Sequence, residues 1–243
     1  MDALADAFGR VEHRRKTLEV YTAVDAVRSE LEQQFSTRNV QIVHHAFPSK
    51  ADLGFVVVRD SNGEFRAALG LEKLEAIISP KIDPPWELSD LDSTGVFDFL
   101  DNTIFTSYDR RQMLAATREI EERSWRTDSG TLFAGFQTST AFEKQASIYD
   151  RFDHDSNVSV RVFIEDDPPF AINSGSSLEV TTGEGSEIGD YWFVLFDGGP
   201  TNRNASGLLA EEREPGRYYG FWTYEPEFVG EIMTYIQTAV DGQ

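Results

Sequence analysis

The sequence predicts an α/β fold: a mixed β-sheet with helices on both faces, containing two related helix–β-meander units. Alternation along Tyr191 to Phe196 gives the sheet its centre. Tyr191, Phe193 and Leu195 fall on one face, Trp192, Val194 and Phe196 on the other, and both sets are apolar. A strand apolar on both faces is one that is covered twice. Residues 130 to 164 read strand, helix, strand, which makes the two strands parallel neighbours with a right-handed crossover. The third observation is a shared order. Helix 17 to 36, strand 40 to 46 and GFVVVRD match helix 140 to 153, strand 158 to 164 and YWFVLFD, with Phe55 to Val58 set over Trp192 to Leu195.

In chain order, residues 1 to 16 are polar without a sustained apolar stripe and read as a weak helix or frayed arm. Val20, Val24, Val27, Leu31 and Phe35 recur at helical spacing, so 17 to 36 is a helix with one buried face. VQIVHHA follows as a strand, and Gly54 to Arg59 with Phe65 to Gly70 form a hairpin around Asp60-Ser61-Asn62-Gly63. Leu71 to Ser79 is a short helix. The proline- and acid-rich run from 80 to 93 is a linker, pinned to a surface by Trp86. A short helix over Val96 to Leu100 leads into a connector.

Asp109-x-x-Gln112 has capping-box spacing and opens a helix with Met113, Ala116, Thr117 and Ile120 on one face. After strand 130 to 136, Thr140-x-x-Glu143 starts a helix with Phe142, Ala146, Tyr149 and Phe152 inward. Residues 165 to 189 form a loop-rich insert with a short strand at Ser177 to Thr181. Glu214-Pro215-Gly216-Arg217 fits a type II turn, because proline presets φ at its second position and glycine accepts positive φ at its third; it joins Gly207 to Arg213 and Tyr218 to Thr223 as a hairpin. Pro226 suits the first turn of a last helix, with Val229, Ile232, Met233, Ile236 and Val240 inward. The chain thus divides into an N-terminal arm (1–16), an α/β extension (17–108) and a C-terminal domain (109–243).

Charge and composition narrow the setting. The 243 residues carry 42 acidic against 22 basic side chains, a formal net charge of −20. That balance argues against nucleic acid as a partner, since a polyanion is repelled unless basic residues are gathered into a patch. Arg14-Arg15-Lys16 and Arg110-Arg111 are the basic clusters, and both read as solvated surface. Spread acidity with little lysine suits a haloarchaeal protein kept hydrated in molar salt. No apolar run approaches the roughly 18 residues that span a bilayer, and the N-terminus lacks the apolar core of a signal peptide, so the expectation is a cytoplasmic protein without membrane contact.

Catalytic patterns are missing. Cysteine is absent, which removes thiol nucleophiles and thiolate metal sites. His44 and His45 are adjacent on a strand and point to opposite faces, so they cannot share a metal ion there. Neither a phosphate-binding GxxxxGK[ST] or GxGxxG nor a GxSxG nucleophile motif is present. No metal site, catalytic residue or cofactor is therefore assigned. What remains is an aromatic set at the end of the sheet. Trp192, Phe196, Trp222 and Tyr224, with Tyr219 and with Arg217 as an anion partner, are the candidate ligand-binding residues, balanced against a purely structural role in the core.

Several of these motifs, taken together, resemble one known family. Asp109-Arg110-Arg111-Gln112-Met113, Gly130-Thr131-Leu132, Gly135-Phe136-Gln137, Trp192-Phe193, Phe196-Asp197-Gly198-Gly199, Leu208-Leu209-Ala210-Glu211-Glu212 and Tyr219-Gly220-Phe221-Trp222-Thr223-Tyr224 are similar, in that order, to the DICT sensory domain. The likeness covers residues 109 to 240, and the preceding half resembles the extension of haloarchaeal members. It implies a sensory or signal-input module with a link to light responses; this chain departs from the family's multidomain pattern, with no kinase, cyclase, phosphodiesterase or helix-turn-helix partner within its own length, so the expectation is a stand-alone member whose output comes from a separate histidine kinase or transcription regulator. It supplies no ligand residues, and oligomeric state is open. Two other readings stay open beside it: a small-molecule enzyme with a concealed carboxylate and arginine site, and an interaction module without a ligand.

Overall fold

The computed structural model describes residues 1–12, 14, 16–24, 29, 31–32, 35, 40–46, 54–71, 84–86, 103–166, 178–182 and 187–241. Its helices are α1 (Leu4–Glu12), α2 (Arg110–Thr127), α3 (Ser139–Glu143), α4 (Ala146–Asp155) and α5 (Pro226–Asp241). Strands β1 (Lys16–Thr22), β2 (Val40–Ala46), β3 (Phe55–Arg59) and β4 (Phe65–Gly70) make a mixed sheet in the order β2-β1-β3-β4. A second mixed sheet contains β5 (Thr103–Asp109), β6 (Gly130–Phe136), β7 (Val158–Ile164), β8 (Glu179–Thr182), β9 (Tyr191–Phe196), β10 (Ser206–Glu214) and β11 (Arg217–Thr223), in the order β5-β11-β10-β9-β6-β7-β8.

Strand β9 is the middle strand of seven, and all six of its residues are buried. Its two faces feed two cores. Trp192, Val194 and Phe196 join Met113, Ala116 and Ile120 of α2 with Phe142, Tyr149 and Phe152 of α3 and α4. Tyr191, Phe193 and Leu195 join Leu4, Phe8 and Val11 of α1 with Phe228, Val229, Ile232 and Ile236 of α5. The first core also takes in Leu18, Val20, Val56 and Val58, so the four-stranded sheet packs on the same side as α2. Helices therefore cover both faces of the larger sheet, and the mixed α/β architecture follows the period-2 pattern of its central strand.

The β6–β7 pair is parallel, and the β10–β11 hairpin closes at Gly216 with φ +73°, the positive value that a type II turn needs at its third position. Other expectations fail. Residues 16–22 are strand β1, where a helix was expected from residue 17 onward. Leu18, Val20 and Thr22 are buried in alternation there, and Val20 served the strand period as well as the helical one. Helical structure is present at positions 29, 31, 32 and 35, where Leu31 and Phe35 are buried one turn apart. The residues read as an arm contain α1, whose stripe of Leu4, Ala7, Phe8 and Val11 is fully packed. The expected helix from 140 to 153 is two helices, and the cap is Thr138, whose side chain accepts from the Ala141 N–H. Trp86 does meet a surface, with its ring 5.4 Å from that of Trp125 and the Arg151 guanidinium 3.9 Å above it. Of the helix expected over 71–79 only Leu71 is described, helical and buried, the helix expected at 96–100 lies outside the described residues, and the strand expected at 177–181 is observed as β8 at Glu179–Thr182.

The two sheets repeat one connection pattern. In the first, β1 pairs parallel with β2 and antiparallel with β3, which pairs antiparallel with β4. In the second, β6 pairs parallel with β7 and antiparallel with β9, which pairs antiparallel with β10. The repeated unit thus begins one strand earlier than the sequence reading, at β1 and β6. Face parity also moves the correspondence by one residue. Val56 and Val58 share the first core with Val194 and Phe196, which sets Phe55 against Phe193 instead of Trp192. A slip of one residue along a strand exchanges its faces.

Candidate functional site

One end of the seven-stranded sheet gathers the C-terminal ends of β5, β6 and β10 and the starts of β9 and β11, because these neighbours run antiparallel except where a crossover intervenes. A cleft of about 740 Å³ opens there. Its aromatic wall is Trp192 at the start of β9 and Tyr218 at the start of β11, whose rings meet edge to face at 5.4 Å. Arg110, the first residue of α2, reaches the same wall with its guanidinium 5.9 Å from the Trp192 ring. Gln137 follows β6 and donates from Nε2 to the carbonyl of Asp190 at 2.8 Å, which ties the β6 end to the entry of β9. Glu165, just past β7, also lines the cleft and packs against Gly189, the residue before Asp190.

The polar groups of the cleft fall into tied and untied sets. Arg213 is paired with Glu211 and lies 3.4 Å over the Tyr219 ring. Glu212 Oε1 accepts from the Gly216 N–H at 2.5 Å, and the Tyr218 hydroxyl is bonded to the same side chain. Burial first, then the Glu212 charge, pushes the Tyr218 phenol up, against the pull of Arg110. Arg110 itself makes no ion pair among the described residues, and the Trp192 indole N–H, on a side chain only 7% exposed, has no hydrogen-bond partner among them.

Behind the wall lies a buried polar chain. Gln145, which lines the cleft, accepts from Arg118; Arg118 also pairs with Glu121, and the Tyr149 hydroxyl donates to Glu121 Oε1 at 2.7 Å. Burial pushes the Glu121 carboxyl above its ordinary range while Arg118 pulls it back. A buried charge that lost its partners would be strongly penalised, so the chain holds α2 and α4 in one arrangement.

Of the six aromatic and arginine candidates read from sequence, Trp192 lines this cleft. Phe196 and Trp222 share its core, with Trp222 stacked on Phe105 at 5.6 Å. Tyr224 packs against that core; its hydroxyl donates to Glu119 at 2.8 Å under the Arg123 guanidinium. Tyr219 is on the opposite face, stacked on Phe8 at 5.3 Å with its hydroxyl donating to Glu12 at 2.6 Å. Arg217 is exposed on the hairpin and does not line the cleft. Arg110, Gln137, Gln145 and Asp190 come together with no local pattern to announce them. Arg110 read as one half of a surface Arg-Arg pair.

Among the described residues no helix is long and apolar enough to cross a membrane. No curated protein matches the chain. Among solved structures, the crystal structure of polyphosphate kinase from Porphyromonas gingivalis is similar at 8% identity with a TM-score of 0.37, over 98% of this chain and 48% of that one. The chain thus spans about half the length of that structure, and a likeness this low carries nothing about function. Residues 96–213, just under half of the chain and inclusive of every cleft residue named above except Tyr218, match the DICT family, described as the sensory domain in diguanylate cyclases and two-component systems.

Proposed function

We propose that this chain is a sensory input module that binds a small ligand in the cleft beside Trp192 and relays its occupancy to a separate signalling protein, a histidine kinase or a transcription regulator. The observation that carries the reading is the cleft itself. It is large enough for a small molecule, it has an aromatic wall and one guanidinium without an ion pair among the described residues, and all of its lining except Glu214, Pro215 and Tyr218 lies within the stretch that resembles a sensory domain. Gln145 gives occupancy a way inward: a ligand that competes for its carbonyl oxygen withdraws one acceptor from Arg118 and so perturbs the buried chain on α2 and α4. A response to light, on this reading, comes from a chromophore seated against Trp192. The working setting is a salt-rich haloarchaeal cytoplasm, where screening moderates the repulsion of a −20 chain.

The test is the small-molecule content of the purified protein. Wild type should retain a compound that Arg110→Glu releases. Turnover of that compound would favour an enzyme, and a partner bound by both proteins without any compound would favour a plain interaction module.

A further inference from the structure

We infer that the ligand is a flat zwitterion, with an anionic end on Arg110 and a cationic end on Asp190 and Glu165; this rests on the reading of the cleft as a ligand site. The charged groups of the cleft divide into those already held and those left free. Of its two guanidiniums, Arg213 is held by Glu211 and by the Tyr219 ring, which leaves Arg110. Of its five carboxylates, Glu211 is held by Arg213 and Glu212 by Gly216 and Tyr218, which leaves Glu165, Asp190 and Glu214. Three untied carboxylates against one untied guanidinium repel a ligand with net negative charge, yet Arg110, beside the Trp192 ring, is a cation left without an ion-pair partner among the described residues. Arg110, an exposed guanidinium 5.9 Å from the Trp192 ring, asks for an anion. Asp190, just before β9, and Glu165, packed against the neighbouring Gly189, line the same cleft and ask for a cation. The rings of Trp192 and Tyr218, in edge-to-face contact, supply one apolar wall against which a planar body can lie. A molecule with a carboxylate at one end, an amine at the other and a ring between satisfies all of these groups without adding net charge.

Three matched probes separate the possibilities: 4-(aminomethyl)benzoate, which has both ends, 4-methylbenzoate, which keeps the anion, and 4-methylbenzylamine, which keeps the cation. Calorimetric titration of the wild-type chain should show the zwitterion binding about tenfold or more tightly than either, the ratio expected for one charge-assisted contact at each end. Arg110→Gln should erase its advantage over 4-methylbenzylamine, and Asp190→Asn its advantage over 4-methylbenzoate; both positions are polar, so circular dichroism should show both variants folded. Equal binding of either single-ended probe, lost in Arg110→Gln, would overturn the zwitterion and leave the cleft a ligand site. Absence of binding by all three also overturns the inference. The ligand-site reading falls with it only if wild type also carries no compound that Arg110→Glu releases.

Discussion

The hydroxyl of Tyr149 donates to Oε1 of Glu121 across 2.7 Å, and both side chains are inaccessible to solvent. Arg118 holds the other carboxylate oxygen. Burial pushes the Glu121 carboxyl above its ordinary range, and Arg118 with the Tyr149 hydroxyl pulls against that. Removing Glu121 therefore strands Arg118. Glu121→Ala should lose about 3 to 5 kcal/mol of unfolding free energy, and Tyr149→Phe, which removes one donor and leaves the pair, about 1 to 3 kcal/mol. Denaturant titration checks both, and equal losses would mean the hydroxyl is as necessary as the charge.

Alkaline stability follows from three other tyrosines. Tyr191 is pushed up to about 12 by burial and then by Glu211, and Tyr219 to about 12 by burial and its bond to Glu12. Tyr235 reaches about 12 through its bond to Glu187. The ordinary tyrosine value is about 10, so between about pH 10 and 12 the folded chain keeps protons that the unfolded chain releases. The stability these groups contribute is complete below pH 10 and is lost as pH rises through 12. Melting temperatures should fall across that window, with phenolate absorbance appearing late. Melting temperatures that stay level from pH 10 to 12 would contradict the shifts.

Salt should strengthen the fold. A compact chain with a net charge of −20 repels itself, and at about 1 M salt the screening length is down to roughly 3 Å. The unfolding midpoint should rise between dilute buffer and molar KCl; a midpoint that is unchanged or lower removes self-repulsion from the account.

Trp222 is 2% exposed and stacked on Phe105, away from the cleft. Trp222→Ala should therefore cost about 3 to 5 kcal/mol, the usual loss for a buried aromatic, while the folded fraction binds cleft probes as wild type does. Loss of binding at little cost in stability would restore Trp222 to the site.

These placements show what a sequence carries and where it stops. The two faces of Tyr191–Phe196 were legible because each face meets its own core, and the Pro215-Gly216 turn because only certain backbones suit those residues. Strand β1 was hidden because Val20 fits the strand period and also heads a helical series with Val24, Val27 and Leu31. Strand β5 had no turn residues to mark it off before α2, which begins at the next residue. The cleft was illegible for a stronger reason. Arg110, Gln137, Asp190 and Tyr218 come from four separate stretches, and only the strand order of the sheet brings them together. Trp192, a tryptophan at the end of an apolar strand, lines the cleft, whereas Arg217, named for its nearness in sequence to the aromatics, lies on the exposed hairpin outside it, because nearness in sequence is a poor guide across a sheet.

The most direct measurement of the central claim is mass spectrometry of small molecules released from the folded protein purified in molar KCl, made side by side on wild type and Arg110→Glu. Exchanging the one untied guanidinium of the cleft for a carboxylate alters an exposed position and leaves both cores alone. The account predicts a compound retained by wild type and lost from the variant, with equal melting temperatures for the two proteins once the compound is removed. The same compound in equal amount on both, or none on either, would contradict it.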